Sequence, residues 1–140
     1  MKIPRAIGAV GVVEWVLSQG SGVESLVKGK IAMPSYLVQA AYTPEAVSAL
    51  IKKPQDRVAV IGKALEKLGG RLTSFYLSFG DYDVVGVFEA PDNIGAAAFA
   101  LAIGAGGACK SIKTTPLLSV DDGIAALKKA GTTGYKPVGK

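Results

Sequence analysis

The chain has 140 residues, 49% of them apolar, which is one domain's length and enough nonpolar material for one core. Its formal charge of +5 sits mostly at the ends: residues 1–33 and 131–140 each carry an excess of two basic side chains, whereas residues 34–130 hold ten basic and nine acidic ones. A nearly neutral middle has no stripe to track phosphates, and the ends are too sparse for an arginine-rich arm, so nucleic acid is not an expected partner.

Histidine is absent altogether. That removes the commonest general base, the commonest metal and haem ligand, and the one side chain that ordinarily titrates near neutral pH. Triads, His-based zinc motifs and His proton shuttles are excluded; no metal or cofactor is expected. The single Cys109 rules out an intrachain disulfide and fits a reducing, cytoplasmic setting.

Residues 1–32 read as an N-terminal extension. Ala6 to Leu17 is apolar, but Glu14 interrupts it, Gly8 and Gly11 weaken it as a helix, and it is too short to span a bilayer. One or two short helices are expected there, over residues 4–19 and Val23 to Lys28, as a docking segment for a protein partner, a membrane-surface segment or a packed extension. No transmembrane segment is expected.

From Met33 the pattern becomes regular. Ser35 to Tyr42 is rich in strand formers and stops at Thr43-Pro44. Thr43 caps a helix with Pro44 in its first turn; the helix breaks at Lys53-Pro54, resumes through Arg57, Ile61 and Leu65, and ends at Gly69-Gly70. Arg71 to Phe79 and Tyr82 to Ala90 form a hairpin about Gly80-Asp81. Pro91 opens an alanine-rich helix with Asp92 in its first turn, running to Ala105. Cys109 to Leu118 makes the fourth strand, and Ser119 caps a closing helix that ends near Ala130, before a polar tail over residues 131–140.

The order β-α-β-β-α-β predicts an α+β, ferredoxin-like fold, with a four-stranded antiparallel sheet and its helices on one face. Along the strands neither alternate row is clearly polar: Tyr36, Val38 and Ala40 oppose Leu37, Gln39 and Ala41, and Val84, Gly86 and Phe88 oppose Val85, Val87 and Glu89. Both faces are therefore expected to be covered, the second by another copy of the chain in a homodimer or a multiple of one.

Several short motifs in fixed order carry a resemblance: Met33-Pro34-Ser35-Tyr36, Tyr42-Thr43-Pro44-Glu45, Leu68-Gly69-Gly70, Phe75-Tyr76, Phe79-Gly80-Asp81-Tyr82-Asp83 and Glu89-Ala90-Pro91-Asp92. Over about residues 33–125 the chain resembles the GYD domain family. The resemblance implies kinship with the dimeric α/β-barrel proteins and a domain of residues 33–130; it implies a fold more than an activity.

Gly80, Asp81, Tyr82 and Asp83 form the leading candidate site, where two carboxylates beside a phenol would serve as acid, base or metal-binding groups. The competing reading is turn chemistry: Gly80 supplies a positive φ, Asp81 bonds turn amides and Tyr82 packs on the sheet. Tyr36, Gln39, Tyr42, Tyr76, Lys113 and Thr114 add polar tips near the sheet, either lining a ligand pocket with Lys113 holding an anion or pairing across strands. Cys109 reads as a small core residue, since no histidine can activate it. The first functional expectation is a small-molecule binding or sensing module. A structural or interaction protein recruited through its terminal extensions follows, and a cofactor-independent monooxygenase- or isomerase-like enzyme comes third.

Overall fold

The computed structural model describes residues 32–140; the helices expected over residues 4–19 and Val23 to Lys28 lie outside them. The described elements are β1 (Ser35–Tyr42), α1 (Pro44–Lys52), α2 (Val58–Lys67), β2 (Arg71–Leu77), β3 (Val84–Glu89), α3 (Asn93–Ala105), β4 (Cys109–Leu117) and α4 (Val120–Ala130). The strands make one sheet in the order β2-β3-β1-β4, and every neighbouring pair is antiparallel. The expected α+β, ferredoxin-like arrangement is thus present.

Local chemistry sets most boundaries. Thr43 is extended and its Oγ1 accepts from the Ala46 amide at 3.1 Å, capping α1 ahead of Pro44. Arg57 caps α2 without a side-chain bond, and the neighbouring Asp56 accepts from the Val58 amide at 2.9 Å instead. The α2 C-terminus turns through Gly69 at φ 78°, with the Gly70 amide returned to the Leu65 carbonyl. Gly70 then passes so close to β3 that a Cβ would stand 2.3 Å from the Glu89 carbonyl oxygen. Ser119 caps α4 by accepting from the Asp122 amide, and Asp121 and Asp122 oppose Lys128 and Lys129 along the helix dipole.

Two boundaries differ from expectation. Asp92 lies outside the first turn of α3 as its cap, accepting from the Gly95 amide at 2.9 Å, so the helix starts at Asn93 rather than Pro91. The hairpin strands end early, at Leu77 and Val84, because the Ser78 hydroxyl donates to the Tyr82 carbonyl and organises residues 78–83 as a wider loop.

The core lies between the helices and one face of the sheet. Tyr36 and Phe88 stack at 5.3 Å, and Phe88 meets Phe99 of α3 edge-on at 5.0 Å. Leu65, Val38, Ala90 and Ala96 complete the buried cluster, with Ile61, Leu68, Leu72, Ile103 and Ile112 packed around it. On β3 the buried residues Val84, Gly86 and Phe88 alternate with half-buried Val85, Val87 and Glu89, which mark the opposite face. The edge strands carry their own protection: β2 is irregular between Leu72 and Ser74, while β4 includes Pro116 and exposes Lys110 and Lys113. No helix among the described residues is long and apolar enough to cross a membrane. Replacing the fully buried Phe88 with alanine removes the ring shared by both aromatic contacts, so Phe88→Ala is expected to lower the unfolding free energy in urea by about 3–5 kcal/mol.

Candidate functional site: a cleft at the small-residue end of the sheet

Side chains on the helix-facing row of β1 shrink along the strand, from Tyr36 through Val38 to Ala40. The aromatic cluster fills the Tyr36 end. At the other end the facing residues are Ala46 and Ala49 of α1, Ala64 of α2 and Ala102 of α3, and α1 buries none of its residues. Short side chains on three helices cannot reach the sheet, and a cleft of about 480 Å³ remains. Val38, Leu50, Ile61, Phe75, Val84 and Ile103 give it apolar walls. Its polar groups are Tyr42, Gln55, Arg57 and Cys109.

Tyr42 continues the helix-facing row of β1 after Tyr36, Val38 and Ala40, which brings it to the cleft. The register with β4 slips between Ala41 and Tyr42, where β4 carries the extra residue Lys110, and this end of β1 is held from the β2–β3 loop: the Tyr42 amide donates to Asp83 Oδ2 at 2.7 Å, while the Asp83 amide donates to the Ala40 carbonyl at 2.9 Å. The Asp83 carbonyl in turn accepts from the Ser78 amide at 2.8 Å. Asp83 therefore ties the β2–β3 loop to the central strand.

The environment sets the protonation of the two weak acids. Burial pushes the Tyr42 phenol above its ordinary value, with Cys109 and Asp83 acting in the same direction and Arg57 against them. Burial likewise pushes the Cys109 thiol up; Asp83 adds to this and Arg57 opposes it. At neutral pH both stay protonated, so Tyr42 offers a hydrogen bond and Cys109 is a poor nucleophile. Among the described residues no three His, Cys, Asp or Glu side chains come together to hold a metal ion.

Of the ten residues singled out in the sequence, only Tyr42 lines this cleft. Tyr36 is buried in the aromatic stack and its hydroxyl donates to Asn93 Oδ1 at 2.8 Å, pinning the start of α3. Gln39 pairs with Val85 and Lys113 across the opposite face of the sheet, and Lys113 is exposed there. Tyr76 is 66% exposed on the β2 edge. Gly80 takes φ 124° with open space around it, so a side chain there meets backbone strain rather than a clash. Asp81 is exposed and makes no hydrogen bond among the described residues, while Tyr82 is half-buried in the same loop. Thr114 carries a buried hydroxyl oxygen with no partner among the described residues, away from the cleft lining. Arg57 and Gln55, which no motif singled out, belong to the cleft because the break between α1 and α2 brings them to its mouth.

Asp83→Ala strands the Tyr42 amide, so it is expected to destabilise the domain by about 1–3 kcal/mol and to speed hydrogen exchange at that amide. Asp83→Asn keeps an acceptor oxygen and is expected to cost clearly less in the same urea titration.

Comparison with known proteins fits the geometry. Residues 36–127 match the GYD domain model. A Thermus thermophilus protein described as "Glutamine synthetase and cystathionine beta-lyase binding protein" is 33% identical over 97 residues, which cover 69% of this chain and 100% of that relative. That relative is thus aligned along its whole length, and the stretch matching the family model takes in the sheet from Tyr36 onward and every residue that lines the cleft. The chain belongs to the GYD domain family.

Proposed function

We propose that this domain is a docking module that binds other proteins. The observation that carries this reading is a run of apolar side chains left in solvent at the end of β2: Leu77 is 81% and Phe79 100% exposed, beside the largely exposed Tyr76. Adjacent apolar side chains left in solvent mark interaction surfaces. The name of the Thermus relative supports the same role and supplies two partners to try, glutamine synthetase and cystathionine beta-lyase. Since the alignment spans all of that relative, the region shared with it is sufficient to carry such a surface.

The module is further proposed to act as a homodimer. Leu37, Val85 and Val87 form a half-buried apolar strip on the sheet face away from the helices, and a two-fold partner would remove it from water. A second reading, small-molecule binding or sensing, draws its support from the 480 Å³ cleft, whose size and mostly apolar lining suit a small ligand.

Purified glutamine synthetase and cystathionine beta-lyase should each be tested for co-elution with the full chain. Binding to at least one is expected, and the double variant Leu77→Ser/Phe79→Ser should weaken it tenfold or more while the melting temperature moves by only a few degrees, both side chains being exposed. Absence of binding, or binding indifferent to that variant, rejects docking through this surface. Light scattering at micromolar concentration should give a dimer or a multiple of one, with Val87→Lys shifting it to a folded monomer; a wild-type monomer rejects the sheet-face pairing.

A further inference from the structure

We propose that the cleft beneath α1 and α2 binds small amphipathic monocarboxylates, with Arg57 and Tyr42 receiving the carboxylate and the apolar walls enclosing the body of the ligand. This rests on the small-molecule reading of the cleft and is independent of docking to enzymes.

The charge at the mouth is the first ground. Arg57 is half-buried and lines the cleft, and its Nη1 contacts only the neutral Gln55 Oε1, at 3.3 Å. Among the described residues the ion pair formed is Arg71 with Glu89, at the far end of β2, and none of their carboxylates pairs with Arg57. A guanidinium beside an apolar cavity gains most from an anion it can hold in two directions.

Tyr42 is the second ground. Its phenol lines the same cleft, remains protonated, and makes no hydrogen bond among the described residues. Arg57 and Tyr42 line the same cleft, and the guanidinium acts electrostatically on the phenol at the Tyr42 end. A carboxylate has acceptor capacity for both donors. Asp83 also acts on that end, but its Oδ2 is committed to the Tyr42 amide and it does not line the cavity. One guanidinium with a nearby fixed carboxylate matches a single negative charge better than two, which favours carboxylate over phosphate.

The third ground is the wall. Val38, Leu50, Ile61, Phe75, Val84 and Ile103 present no charge, and the volume falls in the range of small-ligand sites. An apolar tail of several carbons therefore leaves water while its head meets Arg57, the one charged group in the lining among the described residues.

The full chain should be titrated calorimetrically with octanoate and, as the neutral probe of equal length, 1-octanol. Octanoate is expected to bind at least tenfold more tightly than octanol. Arg57→Gln should remove that preference while leaving octanol affinity unchanged, and Tyr42→Phe should weaken octanoate severalfold. Ala49→Phe, at the exposed rim, should block both probes without unfolding the domain, as circular dichroism will show. Equal affinity for the two probes in the wild-type chain, or octanoate binding indifferent to Arg57→Gln, overturns the carboxylate assignment and leaves an apolar ligand site. Failure of both probes to bind the folded wild-type chain overturns the assignment and the small-molecule reading together.

Discussion

The taper of side chains along one central strand governs the rest of this domain. β1 is bonded on both sides, so it cannot move to accommodate poor packing; what its helix-facing row presents, the helical layer must answer. At Tyr36 the answer is a stacked and edge-on aromatic column that reaches from the sheet to α3. At Ala40 the helices present alanines, and two small surfaces opposite one another leave space. Core and cleft are therefore two outcomes of one arrangement. Phe99 borders both, closing the aromatic column on one side and the cavity on the other.

The frame was legible in the sequence because its boundaries are written in local chemistry. Thr43-Pro44, Gly69-Gly70 and Ser119 act within a few residues of themselves, so short motifs suffice to find them. The family resemblance, too, is confirmed over residues 36–127. The cleft was not legible, since it depends on which small residues from three helices converge over one end of the sheet. Tyr36 illustrates the difficulty: a polar tip beside a sheet looks available, yet its hydroxyl is taken by Asn93, 57 positions away. Lys113 was an attractive anion holder, but its pairing with Gln39 puts it on the face opposite the cleft. Arg57 offered no signal beyond being a charged residue before a helix, and only the turn between α1 and α2 gives it a place at the cavity mouth.

The Gly80–Asp83 loop shows how structure and recognition can share a motif. Asp83 was singled out for its carboxylate, and that carboxylate is engaged, though with the backbone of β1. Through this bond a residue outside the cleft holds the end of β1 that carries Tyr42. The same loop follows the exposed Leu77 and contains Phe79, so these two solvent-exposed apolar side chains hang from a well-anchored support. An anchored loop loses less conformational entropy on meeting a partner than a free one.

The lateral margins of the sheet bear on how the protein behaves when concentrated. β4 is an outer strand, and Pro116 leaves one backbone position there without a donor; Lys110 and Lys113 add repulsion between like strands. On the far margin, the irregularity between Leu72 and Ser74 spoils the flat template that strand-by-strand growth requires. A sheet this rich in valine and aromatic residues would otherwise be a ready seed for fibrils. Its two imperfect borders confer colloidal restraint, allowing the domain to keep apolar surface available for others while resisting endless addition of itself.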